Sequence, residues 1–330
     1  MTTAEGTILT VVLLLLVIKF CQLSVYPYLK PALKSISYGM AYPLGVLLLT
    51  IFSWYLGIAG LPVQLALLPF VVLFGFAAWK KQYQRAELKS GIPFDIVFLA
   101  GFFFLLAVRF ANPGIIPSGE KFMDAAFLGS IMNLPQVTPA DPWFGGAALS
   151  VYYYLGHWMF GVLGLLALGE STVVFNLMLP AVFGLAAVAA YSIGRLMLTR
   201  RLSWLPLLVL VLPNIALFVN FALGKGLLTS WWDSTRVIGE GATINEYPLF
   251  SFLWGDPHAH VLGCFNQLVF ICLLLVMLTQ WKSLASYGKY LLAVLLALSL
   301  GTMPAMNSWD VMVYAALYLG IAFLVWRREE

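Results

Sequence analysis

Two carboxylates, Glu120 and Asp124, stand four residues apart in a segment that is otherwise mostly apolar. On an α-helix this spacing places both side chains on one face. Such a pair can act as a general base, bind a metal ion, or do both, and it can also simply cap or solvate a short surface helix. Asp141, in the rigid sequence Asp141-Pro-Trp, adds a third acid shortly afterwards and favours a chemical role for this region.

A second group of reactive side chains lies in Asp256-Pro-His-Ala-His260, directly before an apolar run. Asp256, His258 and His260 offer the oxygen and nitrogen donors that Zn²⁺ or Mn²⁺ accepts, or partners for a phosphate. On an extended segment the two imidazoles point the same way, whereas on a helix Asp256 and His260 share a face. A simpler hypothesis is that Asp256 caps a helix that has Pro257 at its first position.

Aromatic and polar side chains near the predicted membrane edges are candidates for substrate binding. Trp232 and Arg236 suit a sugar ring or an anionic head group, although interface anchoring explains the tryptophan equally well. An acid near a membrane edge, such as Asp310, is a functional candidate, and its neighbour Asn307 is either part of that site or a helix cap. The predicted substrate-binding residues are Lys121, Asp141, Tyr152, Tyr153, Tyr154, His157, Trp232, Arg236, Asn307 and Asp310.

Composition restricts the elements that must position these residues. The chain has 330 residues, of which 62% are apolar and only 10% are charged. Soluble domains are about 45–50% apolar and about 25% charged, so we predict an all-α polytopic membrane protein. The net charge of +4 is spread over short clusters, which gives no indication of nucleic-acid binding. Glycine-rich phosphate-binding motifs are missing from the sequence, so no nucleotide cofactor is expected.

Apolar runs define the predicted membrane helices. The ten candidate segments are 7–27, 38–57, 61–79, 93–111, 148–168, 171–198, 203–222, 258–281, 288–305 and 309–326. If the aromatic segment 148–168 is interfacial or re-entrant, every basic cluster falls on the cytoplasmic side, as the positive-inside rule requires. We therefore predict about nine transmembrane helices plus this one aromatic helix, with the first helix retained rather than cleaved.

This topology places the reactive residues at the outer face of the cell membrane. Two long external loops, 112–147 and 223–257, then carry most of the acids, and long loops in compact folds are usually functional or disordered. Lys19 and Arg109 lie inside apolar runs and are expected to extend toward the two membrane edges.

The same residues resemble the YYY-type membrane protein family, which is named for its tyrosine triplet. The resemblance covers most of the chain from about residue 93 onward. It rests on Glu120-Lys-Phe-Met-Asp124, Asp141-Pro-Trp, Tyr152-Tyr-Tyr-Leu-Gly-His157, Gly255-Asp-Pro-His-Ala-His260 and Asn307-Ser-Trp-Asp310.

The order of these elements is more distantly similar to that of the GT-C membrane glycosyltransferases. This resemblance implies a GT-C-like membrane core at 93–330 behind an N-terminal three-helix extension at 1–92. It further implies an inverting transferase that uses a polyprenyl-phosphate sugar, with Glu120 or Asp124 as the catalytic acid. Asp256, His258 and His260 would bind a divalent metal (Mg²⁺, Mn²⁺ or Zn²⁺) or the donor phosphate. The acceptor is a sugar, a lipid or a protein.

Two other functions use the same residues. The acids and histidines would also suit a membrane metallohydrolase that acts on lipid phosphates or peptides. A transporter is the third alternative, but transporters place charged groups near the bilayer midplane and often contain inverted repeats. Here the acids cluster outside the predicted spans, and no repeat is visible.

Overall fold

The structure is a computed structural model that describes residues 3–115, 120–150, 152–238 and 243–328. The predicted all-α fold is confirmed over these residues. Short 3₁₀ turns at Lys34–Ile36, Val63–Leu67, Leu205–Leu207 and Trp281–Ser283 adjoin the longer helices. The helices are α1 Ala4–Leu33, α2 Ser37–Ile58, α3 Leu68–Trp79, α4 Arg85–Ala111, α5 Lys121–Asn133, α6 Leu155–Leu166, α7 Ser171–Met197, α8 Leu208–Val211, α9 Ile215–Ala222, α10 Leu227–Asp233, α11 Pro248–Trp254, α12 Ala259–Gln280, α13 Ser286–Met306 and α14 Ser308–Arg327.

Six helical stretches within the described ranges are long and apolar enough to cross a membrane, or seven if the bent pair α8–α9 forms one span. This result supports a polytopic membrane protein but does not support nine crossings. The segment predicted at 203–222 is bent by 59° between its two short helices. The segment predicted at 61–79 is a shorter helical stretch, Val63–Trp79.

The first of the six stretches, Ala4–Ile58, folds back on itself as the hairpin α1–α2. Gly45 packs directly against the backbone of Cys21, where an added Cβ would lie 3.1 Å from the carbonyl oxygen. The amide of Gln22 donates to the Tyr38 carbonyl at 3.0 Å, nearer the turn. A small residue at the crossing lets the two backbones approach, as is common for helices packed in membranes.

Helix α7 is the centre of the bundle, with 94% of its most apolar window buried. It packs mainly against α4 and α12. Gly184 permits the close contact with α4, because a Cβ there would come within 2.9 Å of the Phe98 carbonyl oxygen. The tight packing gives the surrounding helices a rigid central support.

The aromatic segment predicted at 148–168 forms only the 12-residue helix α6. This is shorter than the roughly 20 residues that a transmembrane helix needs. Most of its side chains are buried inside the protein. Trp158 has no exposed surface and donates to the hydroxyl of Ser53 on α2 at 3.0 Å.

The two charged side chains expected to extend toward the membrane edges are instead bonded within the bundle. Lys19 Nζ lies 2.8 Å from Asp95 Oδ1 on α4. The hydroxyls of Tyr38 and Tyr42 also donate to Asp95, at 3.0 Å and 2.6 Å. Arg109 is buried and donates to Asn176 on α7. A charge in a membrane helix finds partners in this way because its desolvation is costly.

Candidate functional site

Three parts of the chain meet beside the beginnings of α6 and α12. They are the first turn of α5, the segment that leads from the tyrosine triplet into α6, and the turn that joins α11 to α12. Together they bring Glu120 and Asp124 next to two of the three histidines of the chain. Glu120 therefore lies beside His258, and Asp124 lies beside His157.

The first turn of α5 holds the two acids in different environments. The Asp124 backbone N–H donates to the Glu120 carbonyl at 3.0 Å, which fixes the helical spacing between them. Asp124 has no exposed side-chain surface, whereas 52% of the Glu120 side chain is exposed. Glu120 is therefore open to a substrate, and Asp124 is available only to groups inside the protein.

Asp124 forms a fully buried pair with His157 on α6. His157 Nε2 lies 2.8 Å from Asp124 Oδ1. An ionised carboxylate can only accept, so with Asp124 in that form Nε2 carries the proton of this bond. The second carboxylate oxygen, Asp124 Oδ2, is buried without a hydrogen-bond partner, as is His157 Nδ1. Unsatisfied buried polar atoms are rare in folded proteins and often mark a functional position.

Glu120 forms a second acid–histidine pair across the site. Its Oε2 lies 2.9 Å from His258 Nδ1. With a proton on Nδ1 facing this carboxylate, Nε2 is the ring nitrogen left to accept. The hydroxyl of Tyr152 lies 3.4 Å from that Nε2, which is a long and weak contact. Burial raises the pKa of Tyr152, and the charges of Asp124 and Glu120 add to the effect, so the hydroxyl stays protonated.

Asp256 completes a compact group of ligand atoms. Three residues, Asp124, Asp256 and His258, each offer one ligand atom. These three atoms lie within 4.8 Å of one another. Asp256 Oδ1 is buried without a hydrogen-bond partner. Burial raises the pKa of Asp256 to about 6, and the neighbouring Asp124 contributes in the same direction. Two carboxylates this close favour a proton or a cation between them.

The turn that presents Asp256 depends on Gly255. Gly255 ends α11 in the left-handed conformation, with φ of 72°, which favours glycine. A Cβ at this position would also collide with the guanidinium of Arg109. Helix α12 then begins at Ala259 with His258 as the extended cap residue, so the hypothesis that Asp256 caps this helix with Pro257 at its first position is wrong.

His260 belongs to a neighbouring pair rather than to the group of three ligand atoms. Its Nε2 lies 3.4 Å from Glu246 Oε2, and Ser251 donates to the same oxygen at 2.6 Å. Burial acts to raise the pKa of Glu246, but the hydrogen bonds from His260 and Ser251 outweigh it and the pKa lies below its usual value. The ring centroids of His258 and His260 are 5.2 Å apart. The predicted ligand set of Asp256, His258 and His260 is therefore corrected, with Asp124 in place of His260.

Lys121 connects the site to an aromatic cluster. Its Nζ donates to the Trp254 carbonyl at 2.7 Å and lies 4.8 Å from the centroid of that ring. Burial lowers the pKa of Lys121, which the charge of Asp256 partly offsets. Trp232 packs 5.5 Å from Trp254, and the Arg236 guanidinium stacks 3.5 Å over the Trp232 ring. Trp232 and Arg236 are thus linked to the site through Trp254 rather than in contact with its acids.

The tyrosine triplet contacts His258 at one end and Trp54 of α2 at the other. Tyr152 and Tyr153 stack with ring centroids 4.5 Å apart, and Tyr154 packs 5.2 Å from Trp54 on α2. All three tyrosines line a cavity of about 340 Å³ that also reaches Ser308. Tyr152 therefore contacts both this cavity and His258.

The remaining predicted site residues lie outside the acid–histidine pairs. Asp141 Oδ1 accepts from the backbone N–H groups of Trp143 and Phe144, so this acid shapes its own turn. Asp310 accepts from Asn307 at 2.8 Å and from Gln267 on α12 at 2.9 Å. These contacts are structural, and no contact between these three predicted residues and the three-ligand group is seen in the described part of the chain.

Three contributors were not predicted from the sequence. Arg109 supports the Gly255 turn, Glu246 orients His260, and Trp254 receives Lys121. Arg109 carried a usable signal, because a charge within an apolar helix usually marks a partner or a site. Glu246 precedes α11 and Trp254 is its last residue, and the packing of this segment is set by distant parts of the chain.

The family described as "Uncharacterized membrane protein (DUF2298)" matches residues 48–330. No curated protein and no solved structure matches the chain. The family match covers the whole site described above, the second half of α2 and every helix from α3 onward. The chain therefore belongs to the DUF2298 family of membrane proteins.

Proposed function

We propose that this membrane protein transfers a sugar from a polyprenyl-phosphate donor to an acceptor at the outer membrane face. The observation that best supports the proposal is a connection through Tyr152. On one side this residue faces His258, and on the other it lines a cavity that adjoins an apolar groove. A site that adjoins an apolar groove suits a substrate with a polar head and a long lipid chain.

The groove is lined by side chains of α2, α6 and α13. Its cavity measures about 340 Å³ and includes Leu155, Leu298 and Gly301. The cavity beside the tyrosine triplet shares Trp54 and Ala305 with it. An isoprenoid chain can enter such a groove sideways from the bilayer while its phosphate reaches the triplet. A donor that arrives in this way needs no nucleotide-binding motif.

Glu120 is the better placed of the two predicted catalytic acids. Its half-exposed carboxylate can accept the proton of an acceptor hydroxyl, whereas Asp124 is fully buried and bonded to His157. The acceptor oxygen then forms a bond to the anomeric carbon as the bond from that carbon to the phosphate oxygen breaks. The proton moves to Glu120 and the electron pair leaves with the polyprenyl phosphate. Attack opposite to the leaving group inverts the anomeric configuration.

The opposite side of the site can stabilise the leaving phosphate. Tyr152 keeps its proton and can donate it in a hydrogen bond. His258 is a second donor when it is protonated, because its other nitrogen is held by Glu120. Donors that are fixed in advance around developing charge account for a large part of many enzymatic rate enhancements.

The distant resemblance to GT-C enzymes supports the same function. In GT-C enzymes an acid in the first external loop acts on the acceptor, which matches the position of Glu120. A membrane metallohydrolase is the second candidate, and the observation that favours it is the group formed by Asp124, Asp256 and His258. A hydrolase would use water in place of the acceptor hydroxyl.

Product analysis tests the proposal. Membranes that contain the full chain are incubated with polyprenyl-phosphate donors carrying different labelled sugars, and the products are separated by mass. We expect a new glycosidic product and free polyprenyl phosphate in equal amounts. Release of free sugar or phosphate without a glycosidic product would favour the hydrolase instead. If no donor is consumed by the wild-type chain, the transferase proposal fails.

A further inference from the structure

We infer that Asp124, Asp256 and His258 bind a divalent metal cation of the Mn²⁺ or Zn²⁺ class. The inference concerns the same site as the proposed transferase but does not require that function. Two carboxylates and one imidazole form a mixed oxygen and nitrogen set, which Mn²⁺ and Zn²⁺ accept more readily than Ca²⁺, which prefers oxygen ligands alone. The three ligand atoms lie within 4.8 Å of one another.

The strongest support is an unpartnered oxygen on a fully buried acid. Asp124 has no exposed side-chain surface, and its Oδ2 has no hydrogen-bond partner while Oδ1 is bonded to His157. Asp256 Oδ1 is likewise buried and unpartnered. A buried carboxylate oxygen without a partner costs free energy, because it has lost its hydration. A cation between the two acids would satisfy both atoms at once.

The third ligand is already oriented for a metal. Glu120 Oε2 lies 2.9 Å from His258 Nδ1, so a proton on Nδ1 would face this carboxylate and Nε2 would be the ring nitrogen open to a metal. A carboxylate that holds the far nitrogen of a metal-binding histidine is a common arrangement around metals. Within the described residues, Nε2 has the weak contact to Tyr152 at 3.4 Å, which a metal would replace.

Metal binding requires the three ligand atoms to move slightly closer together. Ligand atoms about 2.1 Å from a metal lie roughly 3.4 Å apart in a tetrahedral site. The widest of the present separations, at most 4.8 Å, would thus contract by about 1.4 Å, which side-chain rotation can supply. Three protein ligands leave at least one position open, which is typical of catalytic rather than structural zinc sites. That open position suits an oxygen of a phosphate group.

A binding experiment without turnover tests the inference. The purified full chain is treated with a chelator, and Mn²⁺ binding is followed by the loss of the free Mn²⁺ signal in electron paramagnetic resonance, with Zn²⁺ as a competitor. We expect one Mn²⁺ per chain in the wild type. Binding should weaken about tenfold or more in Asp256→Asn and His258→Gln, because each substitution removes one of three ligands.

Two controls separate this site from general binding. Asp233→Asn removes an exposed acid that is paired with Lys225, and it should leave Mn²⁺ affinity unchanged. His260→Gln tests the corrected ligand set and should change the affinity less than twofold. Absence of stoichiometric binding in the wild type would overturn the inference, as would wild-type affinity in both Asp256→Asn and His258→Gln.

Folding failure is controlled by using these two substitutions rather than replacing the buried Asp124. Asp256 and His258 are partly exposed, and the melting temperature of each variant is measured in the metal-free state. Metal binding and sugar transfer give separate readouts. A chain that binds Mn²⁺ but transfers no sugar keeps the metal site and loses the proposed transferase function. A chain that transfers sugar but binds neither Mn²⁺ nor Zn²⁺ would support the transferase function and overturn the metal site.

Discussion

His157 Nε2 lies 2.8 Å from Asp124 Oδ1, and neither side chain exposes any surface. This bond joins α5 to α6, because Asp124 is in the first turn of one helix and His157 is in the first turn of the other. The bond uses Asp124 Oδ1. The other carboxylate oxygen, Oδ2, has no hydrogen-bond partner among the described residues. The pair therefore has both a structural role and a role in preparing Asp124 as a ligand.

Removal of His157 should destabilise the protein. His157→Leu leaves the Asp124 carboxylate buried and unpaired, which typically costs about 3–5 kcal/mol when one partner of a buried pair is deleted. We expect a large decrease in melting temperature in detergent. His260→Leu is the matched control, since its side chain is 44% exposed and its bond to Glu246 is longer. Equal melting temperatures for the two variants would contradict the assigned role.

Gly255→Ala should disturb the turn that carries Asp256. The residue has a φ of 72°, and a Cβ would collide with Arg109, so both the backbone and the guanidinium must move. Strain of this kind costs about 1–3 kcal/mol. We expect lower stability and weaker Mn²⁺ binding. Gly129→Ala is the control, because a Cβ there meets nothing within 4 Å. Unchanged Mn²⁺ affinity in Gly255→Ala would show that this turn does not position Asp256.

In the metal-free protein, the contribution of Asp256 to the free energy of unfolding should decrease as pH rises. The folded-state pKa of about 6 lies above the ordinary aspartate value of 3.8, so the folded state binds this proton more tightly. The stabilising contribution is complete below about pH 4 and is lost as pH rises through about 6. Asp256→Asn lacks this titration. In chelator, the variant should therefore melt at a higher temperature than the wild type above pH 6, and the difference should shrink toward pH 4. A difference that does not depend on pH would contradict this account.

Filling the apolar groove should discriminate between donors by chain length. Gly301→Leu adds a side chain inside the groove at a position where a Cβ meets nothing within 4 Å. We expect a higher KM for a long polyprenyl-phosphate donor and little change for a short-chain, water-soluble donor. Gly320→Leu on α14 is the matched control, because it is equally open but lies outside the groove. Equal effects of Gly301→Leu on long and short donors would show that the groove does not bind the lipid chain of the donor.

Apolar run length predicted the membrane helices but not the number of crossings. The run at 203–222 is interrupted by Pro213-Asn214, where Asn214 caps α9 by accepting from the Ala216 backbone N–H at 3.0 Å. Both residues are helix-boundary signals that were visible in the sequence. The short length of α6 had no such signal, because its aromatic residues are buried by packing against α2 and other helices rather than by lipid.

The sequence indicated which residues are candidates for the site, but it did not indicate which acid contacts which histidine. Spacing within one segment indicated that Glu120 and Asp124 act together, and this is what the first turn of α5 provides. Which histidine each acid meets depends on the packing of distant segments. Glu120 pairs with His258, and Asp124 pairs with His157. Local pattern also could not exclude His260 from the ligand group, because its bond to Glu246 forms only in the folded loop.

The rate of sugar transfer by Glu120→Gln tests the central claim most directly. A positioned general base contributes typically about 10²–10⁴-fold, so we expect a loss of at least about 100-fold in kcat at unchanged expression. Glu170→Gln, an exposed glutamate at the start of α7, is the matched control and should retain wild-type activity. Full transfer activity in Glu120→Gln would contradict the assignment of this carboxylate as the base.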